Sequence, residues 1–111
     1  MQPRPFRTIQ VACHAGVATL TLNRPDRRNA IGPQMVSELL YALEDASEDD
    51  DVLCIVLTGA GKAFCAGGDF SQMTGGSEDG ELPLKGDYRD LLLALWRTSK
   101  PVVARVNGHA M

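Results

Sequence analysis

Between Gly59 and Phe70 the chain reads Gly-Ala-Gly-Lys-Ala-Phe-Cys-Ala-Gly-Gly-Asp-Phe. Its small residues Ala66, Gly67 and Gly68 let a ligand approach the main chain closely. The run follows the most apolar stretch of the sequence, Val52 to Leu57. A buried strand that empties into such a loop sets bare N–H groups at the carboxyl edge of a sheet, where open α/β folds bind their ligands. A tight turn that merely returns the chain would have the same composition, and the residues by themselves leave both possibilities open.

Better-known loop chemistries fail residue by residue. A Walker A loop ending on Gly61-Lys62 needs a glycine where Val56 stands and a hydroxyl residue where Ala63 stands. A dinucleotide fingerprint starting at Gly59 needs a glycine at position 64, which is Phe64. No Gly-x-Ser-x-Gly elbow is present in the loop. Cys65 carries a nucleophilic atom, but the sequence places no histidine or asparagine partner for it, so small-residue packing is expected. Asp69 is expected to cap a turn or helix rather than to donate protons. Cys54 is expected in the core and His14 on an exposed turn. Glu44, Asp45 and Glu48 to Asp51 crowd one stretch, but consecutive acids do not converge on a cation, so a solvated face is expected. No cluster has metal-ligand spacing, and no metal is expected.

The elements that position the loop are legible from periodicity. Residues 1–6 read as a frayed tail. Phe6 to Cys13 alternates weakly, with Ile9 and Val11 on one side. His14-Ala15-Gly16 is a turn, and Val17 to Leu22 alternates cleanly, with Ala18, Leu20 and Leu22 sharing a face; together these predict a hairpin. Asn23 to Ala30 is a polar loop. Pro33 suits a first helical turn, and Val36, Leu39, Leu40 and Leu43 recur at helical spacing, predicting a helix from Pro33 to Ser47. Carboxylates at its end oppose the helix dipole, so Asp49 to Asp51 should form a solvated link. Val52 to Leu57 lacks alternation and reads as a strand covered on both faces. Ser71 to Gly86 reads as a mobile loop flanking the pocket. From Asp87 to Thr98, Tyr88, Leu91, Leu92, Leu95 and Trp96 mark one helix face, with Asp87 as its cap. Val102 to Val106 is the next strand, parallel to the previous one. Asn107-Gly108 is a turn, after which a new element begins.

The 111 residues suffice for one domain, and a chain of this size buries roughly two-thirds of its unfolded surface. A net charge of −3 argues against a nucleic-acid binder that works through bulk charge. No apolar run approaches the ~20 residues of a membrane span, and the basic start lacks the apolar core of a secretory signal. Three cysteines without a CxxC pair favour a reducing compartment, the cytoplasm.

Leu22-Asn23-Arg24-Pro25, then Asn29-Ala30, then Phe64 to Asp69, then Lys100-Pro101 with Asn107-Gly108 together resemble the crotonase (enoyl-CoA hydratase/isomerase) superfamily. The match covers nearly the whole chain, in order and with suitable gaps. The resemblance implies an α/β fold, a crotonase-like spiral of ββα units truncated before the second oxyanion turn. Residues 1–111 would form the N-terminal portion of a single domain. It implies an acyl-CoA substrate whose thioester oxygen is held by two backbone N–H groups. The first falls on Gly68, and one such donor is worth about 3–4 kcal/mol of barrier. The second belongs to a turn expected to begin at Met111, and the family's catalytic glutamates lie beyond it. The isolated chain is therefore expected to be inactive.

The resemblance further implies that Ala66 offers its carbonyl to adenine and that Lys62 meets CoA phosphates, unless it is a plain loop lysine. Gly68, Asp69, Phe70 and Ser71 would lie along the bound CoA, with Phe70 and Met73 in the acyl pocket or the core. Arg27 and Arg28 pair with acids or meet phosphate. His109 is not expected to act as a base. The implied reaction is reversible hydration of a 2-enoyl-CoA. Isomerisation, thioester hydrolysis or decarboxylation would share Gly68, and a non-catalytic half-domain acting in an assembly is the alternative of another class. CoA enters as part of the substrate and no separate cofactor is implied. Homotrimers or hexamers are implied as the assembly.

Overall fold

The computed structural model describes residues 1–67 and 80–110. Strand β1 (Ile9–His14) pairs antiparallel with β2 (Val17–Leu22), Ile9 opposite Leu22 and His14 opposite Val17. Ala15 and Gly16 connect them with φ of 51° and 84°, the two left-handed residues that match a hairpin's twist. Along β2 the predicted alternation holds: Ala18, Leu20 and Leu22 are buried, while Val17, Thr19 and Thr21 are half-buried.

Strand β3 (Cys54–Gly59) joins β2 in parallel, and β5 (Val102–Arg105) joins β3 in parallel, giving the order β1-β2-β3-β5. Short strands β4 (Ala63–Cys65) and β6 (His109–Ala110) make a separate parallel pair. Helix α1 (Pro33–Glu48) links β2 to β3, and α2 (Tyr88–Arg97) precedes β5. Parallel strands joined through helices make this an α/β fold, as expected.

Pro33 opens α1, where its missing N–H costs nothing. Met35, Val36, Leu39, Leu40, Leu43 and Ala46 form its apolar stripe, packed with Ile9, Leu20, Leu22 and Ile55 into one core. A second stripe of α1 is polar yet mostly buried. Glu38 is fully buried and accepts from the N–H groups of Arg7 (2.9 Å) and Thr8 (2.8 Å) and the Thr8 hydroxyl (2.8 Å). Gln34 Nε2 donates to Glu38 (3.1 Å) and to the Leu82 carbonyl (3.0 Å). The Ser37 hydroxyl accepts from Lys85 N–H (2.8 Å), and the Tyr41 hydroxyl donates to the Pro83 carbonyl (3.1 Å). This stripe ties the entry to β1 and the segment before α2 to one rigid helix.

The start of the chain is not frayed. The Met1 ammonium donates to Asp49 (2.5 Å), and Arg4 grips Asp45 through two hydrogen bonds (2.6 and 2.9 Å) while its guanidinium lies 4.9 Å from the Tyr41 ring centre. The acidic end of α1 is thus a docking point and not simply a solvated face. Clustered carboxylates and the negative helix C-terminus both attract cations. Lys100 adds a third, its Nζ donating to the carbonyls of Ala46 (2.6 Å) and Asp49 (2.5 Å). The Met1–Asp49 hydrogen bond raises the Met1 ammonium pKa and lowers that of Asp49.

Two expectations of burial need correction. The central strand starts at Cys54 and not at Val52, and Leu53 is 70% exposed. The N–H groups of Leu53 (2.7 Å) and Cys54 (3.2 Å) both bond the Gly16 carbonyl, which holds Leu53 beside the hairpin turn while Val52 is buried in the core. Helix α2 starts as predicted, Asp87 accepting from Asp90 N–H (3.0 Å) and Asp90 from Asp87 N–H (2.9 Å). Of its apolar face, however, only Leu91 is buried, and Trp96 is 87% exposed. At about 100° per residue Trp96 stands roughly 140° round the helix from Leu91, too far for one packing surface to cover both.

Candidate functional site

Strand β3 delivers the chain to Gly59 at the carboxyl edge of the sheet. Two side-chain amides donate to the backbone carbonyls of the turn that follows. Asn29 is fully buried. Its Nδ2 donates to the carbonyls of Ala60 (2.9 Å) and Ala63 (2.8 Å), and its Oδ1 accepts from Arg24 N–H (2.8 Å). Its backbone is left-handed, φ 56°, a conformation asparagine tolerates better than most residues. From the other side, Asn107 Nδ2 donates to Gly61 (3.0 Å) and Ala63 (3.3 Å), and its Oδ1 accepts from Gly59 N–H (3.1 Å).

Beyond β4, the Gly67 carbonyl accepts from Ile31 N–H (2.7 Å), and its own N–H points at Cys65 Sγ (3.4 Å). Cys65 is buried and its thiol is free, in keeping with a packing role. The segment from Gly59 to Gly67 is therefore a framed loop, anchored on the loop after β2, on Ile31 and on the end of β5.

Lys62 is exposed at the tip of this loop, and Ala66 is half-buried at its far end. These two predicted contacts fall on one short segment. Gly68, Asp69, Phe70, Ser71 and Met73 lie outside the described residues. His14 and His109 are both exposed. Among the described residues no three His, Cys, Asp or Glu side chains gather as a metal ion would require, and no helix is long and apolar enough to cross a membrane.

Beside the framed loop, a cavity of about 190 Å³ opens between the sheet, α1 and α2. Leu22, Leu57, Phe64, Cys65, Leu92 and Leu95 are among its walls. Such a lining suits an alkyl or aryl group and offers a charge nothing. Sequence reading used Asn29 and Asn107 as motif and turn residues and missed their work as donors. A buried asparagine's partners are remote carbonyls, which no local pattern announces.

A profile of the family described as enoyl-CoA hydratase/isomerase matches residues 12–111. The chain is 40% identical over 99 residues to the 1,2-epoxyphenylacetyl-CoA isomerase of Escherichia coli, covering 86% of this chain and 38% of that protein. It is 43% identical over 95 residues to a probable enoyl-CoA hydratase of Mycobacterium tuberculosis, covering 86% and 37%. Among solved structures, an enoyl-CoA hydratase from Mycobacterium marinum superposes with a TM-score of 0.81 at 36% identity, over 91% of this chain and 48% of that one. A monofunctional enoyl-CoA isomerase from M. smegmatis gives 0.71 at 33% identity, over 92% and 41%. The chain spans less than half the length of each of these proteins.

Proposed function

This chain belongs to the enoyl-CoA hydratase/isomerase family, and on that premise we propose that it supplies the acyl-CoA-gripping part of an enzyme that reversibly adds water to a 2-enoyl-CoA. The Gly68 N–H polarises the thioester carbonyl and stabilises the enolate oxygen as water adds at the β-carbon. The carboxylates that position that water belong to residues outside this chain. Ala66 offers its carbonyl to the adenine amine, Lys62 meets the CoA phosphates, and Asp69, Phe70 and Ser71 line the path of the bound CoA. CoA is part of the substrate and no further cofactor takes part. A homotrimer or hexamer in the cytoplasm is part of the same proposal.

The observation that supports this most is the frame of Asn29, Ile31 and Asn107 around Gly59 to Gly67. An oxyanion donor is effective only when it is fixed before charge develops, and this frame fixes the chain one residue ahead of Gly68. Double-bond isomerisation is the second reading, favoured by the structural relative named as an enoyl-CoA isomerase. It uses the same donor and differs in the carboxylates.

Titration of the chain with crotonyl-CoA tests the proposal. Saturable binding without loss of the conjugated thioester absorbance is expected. Absence of binding overturns it. In a longer protein that contains this chain, incorporation of heavy oxygen from labelled water marks hydration, and double-bond migration without it marks isomerisation.

A further inference from the structure

Asn107 is followed by Gly108, and both are exposed. The glycine is compelled by packing: a Cβ at position 108 would collide with the carbonyl of Lys62. A glycine after asparagine is also the least hindered arrangement for attack by the next backbone nitrogen on the side-chain carbonyl carbon. We propose that Asn107–Gly108 is a deamidation site whose conversion unlatches the Gly59–Ala63 turn.

The chemistry needs only water. The Gly108 nitrogen, deprotonated by solvent base, attacks Cγ of Asn107. The Cγ–Nδ2 bond breaks and ammonia leaves with a proton from water, closing a succinimide. Water then opens that ring at either carbonyl, giving aspartate or isoaspartate. One water is consumed, one ammonia is released, and nothing is oxidised or reduced.

The three hydrogen bonds on the carboxamide make this step consequential. Oδ1 accepts from Gly59 N–H, and both hydrogens of Nδ2 are spent on the carbonyls of Gly61 and Ala63. An aspartate keeps the first bond but turns lone pairs toward the two carbonyls, replacing attraction by repulsion. Isoaspartate also adds a methylene to the main chain just ahead of β6, disturbing its pairing with β4. Asn29 still holds Ala60 and Ala63 from the opposite side, so the turn loosens while the four-stranded sheet persists. The same bonds must open before the nitrogen can attack, so the folded chain resists its own conversion.

The test incubates the full chain in warm, mildly alkaline buffer, natively and in concentrated urea. Peptide mass spectrometry follows Asn107, and hydrogen exchange is measured on the converted product. Conversion is expected in both samples, several-fold slower in the native one. In the product, amides of Gly59 to Cys65 should exchange about ten- to a hundredfold faster, with those of β1 and β2 unchanged. Asn107→Asp should reproduce that pattern without incubation. Equal rates in the two samples, an intact Asn107 in native buffer, or unchanged exchange in the converted wild-type chain would each overturn the proposal.

Discussion

The carbonyl of Ala63 accepts the side-chain amide of Asn29 at 2.8 Å and that of Asn107 at 3.3 Å, so one backbone oxygen joins two loops remote in sequence. Removing the buried partner should be the more costly change. Asn29→Ala strands the Ala60 carbonyl and the Arg24 N–H, leaves the Ala63 carbonyl to Asn107 alone, and forces alanine into a left-handed backbone. A loss of about 2–4 kcal/mol is expected in urea unfolding. Asn29→Gly, which relieves the backbone, should recover about 0.5–1 kcal/mol of it. A change below about 0.5 kcal/mol for the alanine variant would show that water replaces the amide freely.

Glu38 sits fully buried with four donors aimed at its two oxygens, none of them a formal cation. Glu38→Ala strands those donors and should lower stability by about 3 kcal/mol or more. Glu38→Gln retains the oxygen facing Arg7 and Thr8 but sets one amide against Gln34, so it should cost less. Thermal unfolding of both variants measures the difference, and equal losses would contradict the pattern of acceptors.

Acid should loosen the start of α2. The Asp90 N–H, followed by other local hydrogen bonds and the charge of Arg89, holds the Asp87 carboxyl below its usual pKa. A carboxyl lowered by folding stabilises the native state above its unfolded pKa, about 4. That contribution is lost as pH falls through the lowered folded value. Asp87→Asn keeps a capping oxygen without the titration, so the variant's stability should fall less steeply than the wild type's below about pH 4. Parallel curves in acid unfolding would refute this.

Lys62 stands exposed at the loop tip, so its contact with a phosphate is screened. Lys62→Ala should weaken CoA thioester binding about threefold and leave binding of a pantetheine thioester unchanged. Added salt should erase the difference. Equal weakening of both ligands in calorimetric titration would place Lys62 elsewhere in the site.

Local periodicity carried much of the fold. The alternation of β2, the stripe of α1 and the cap at Asp87 each concern residues within a turn or two of each other, and each appears where the sequence predicted it. Docking of the first residues was hidden because Arg4 finds Asp45, 41 positions away. Exposure of Leu53 and Trp96 was hidden for a related reason, since hydrophobicity says what prefers burial but not which surface is available. At the site, Lys62 and Ala66 emerged on the framed loop. The asparagines that frame it were named by the sequence without their task, because side-chain-to-carbonyl bonds across the fold leave no spacing to read.

Within the four-stranded sheet only the β1–β2 pairing is antiparallel and closed by a two-residue turn. That hairpin can zip in microseconds, whereas the parallel pairings of β3 with β2 and β5 must wait for crossover segments to be spanned. During synthesis the hairpin leaves the ribosome before α1, and β5 emerges after both. Assembly can therefore proceed vectorially, each new strand adding to an edge already in place. Refolding from denaturant loses that order of arrival and should be slower and more prone to wrong pairing than folding during translation.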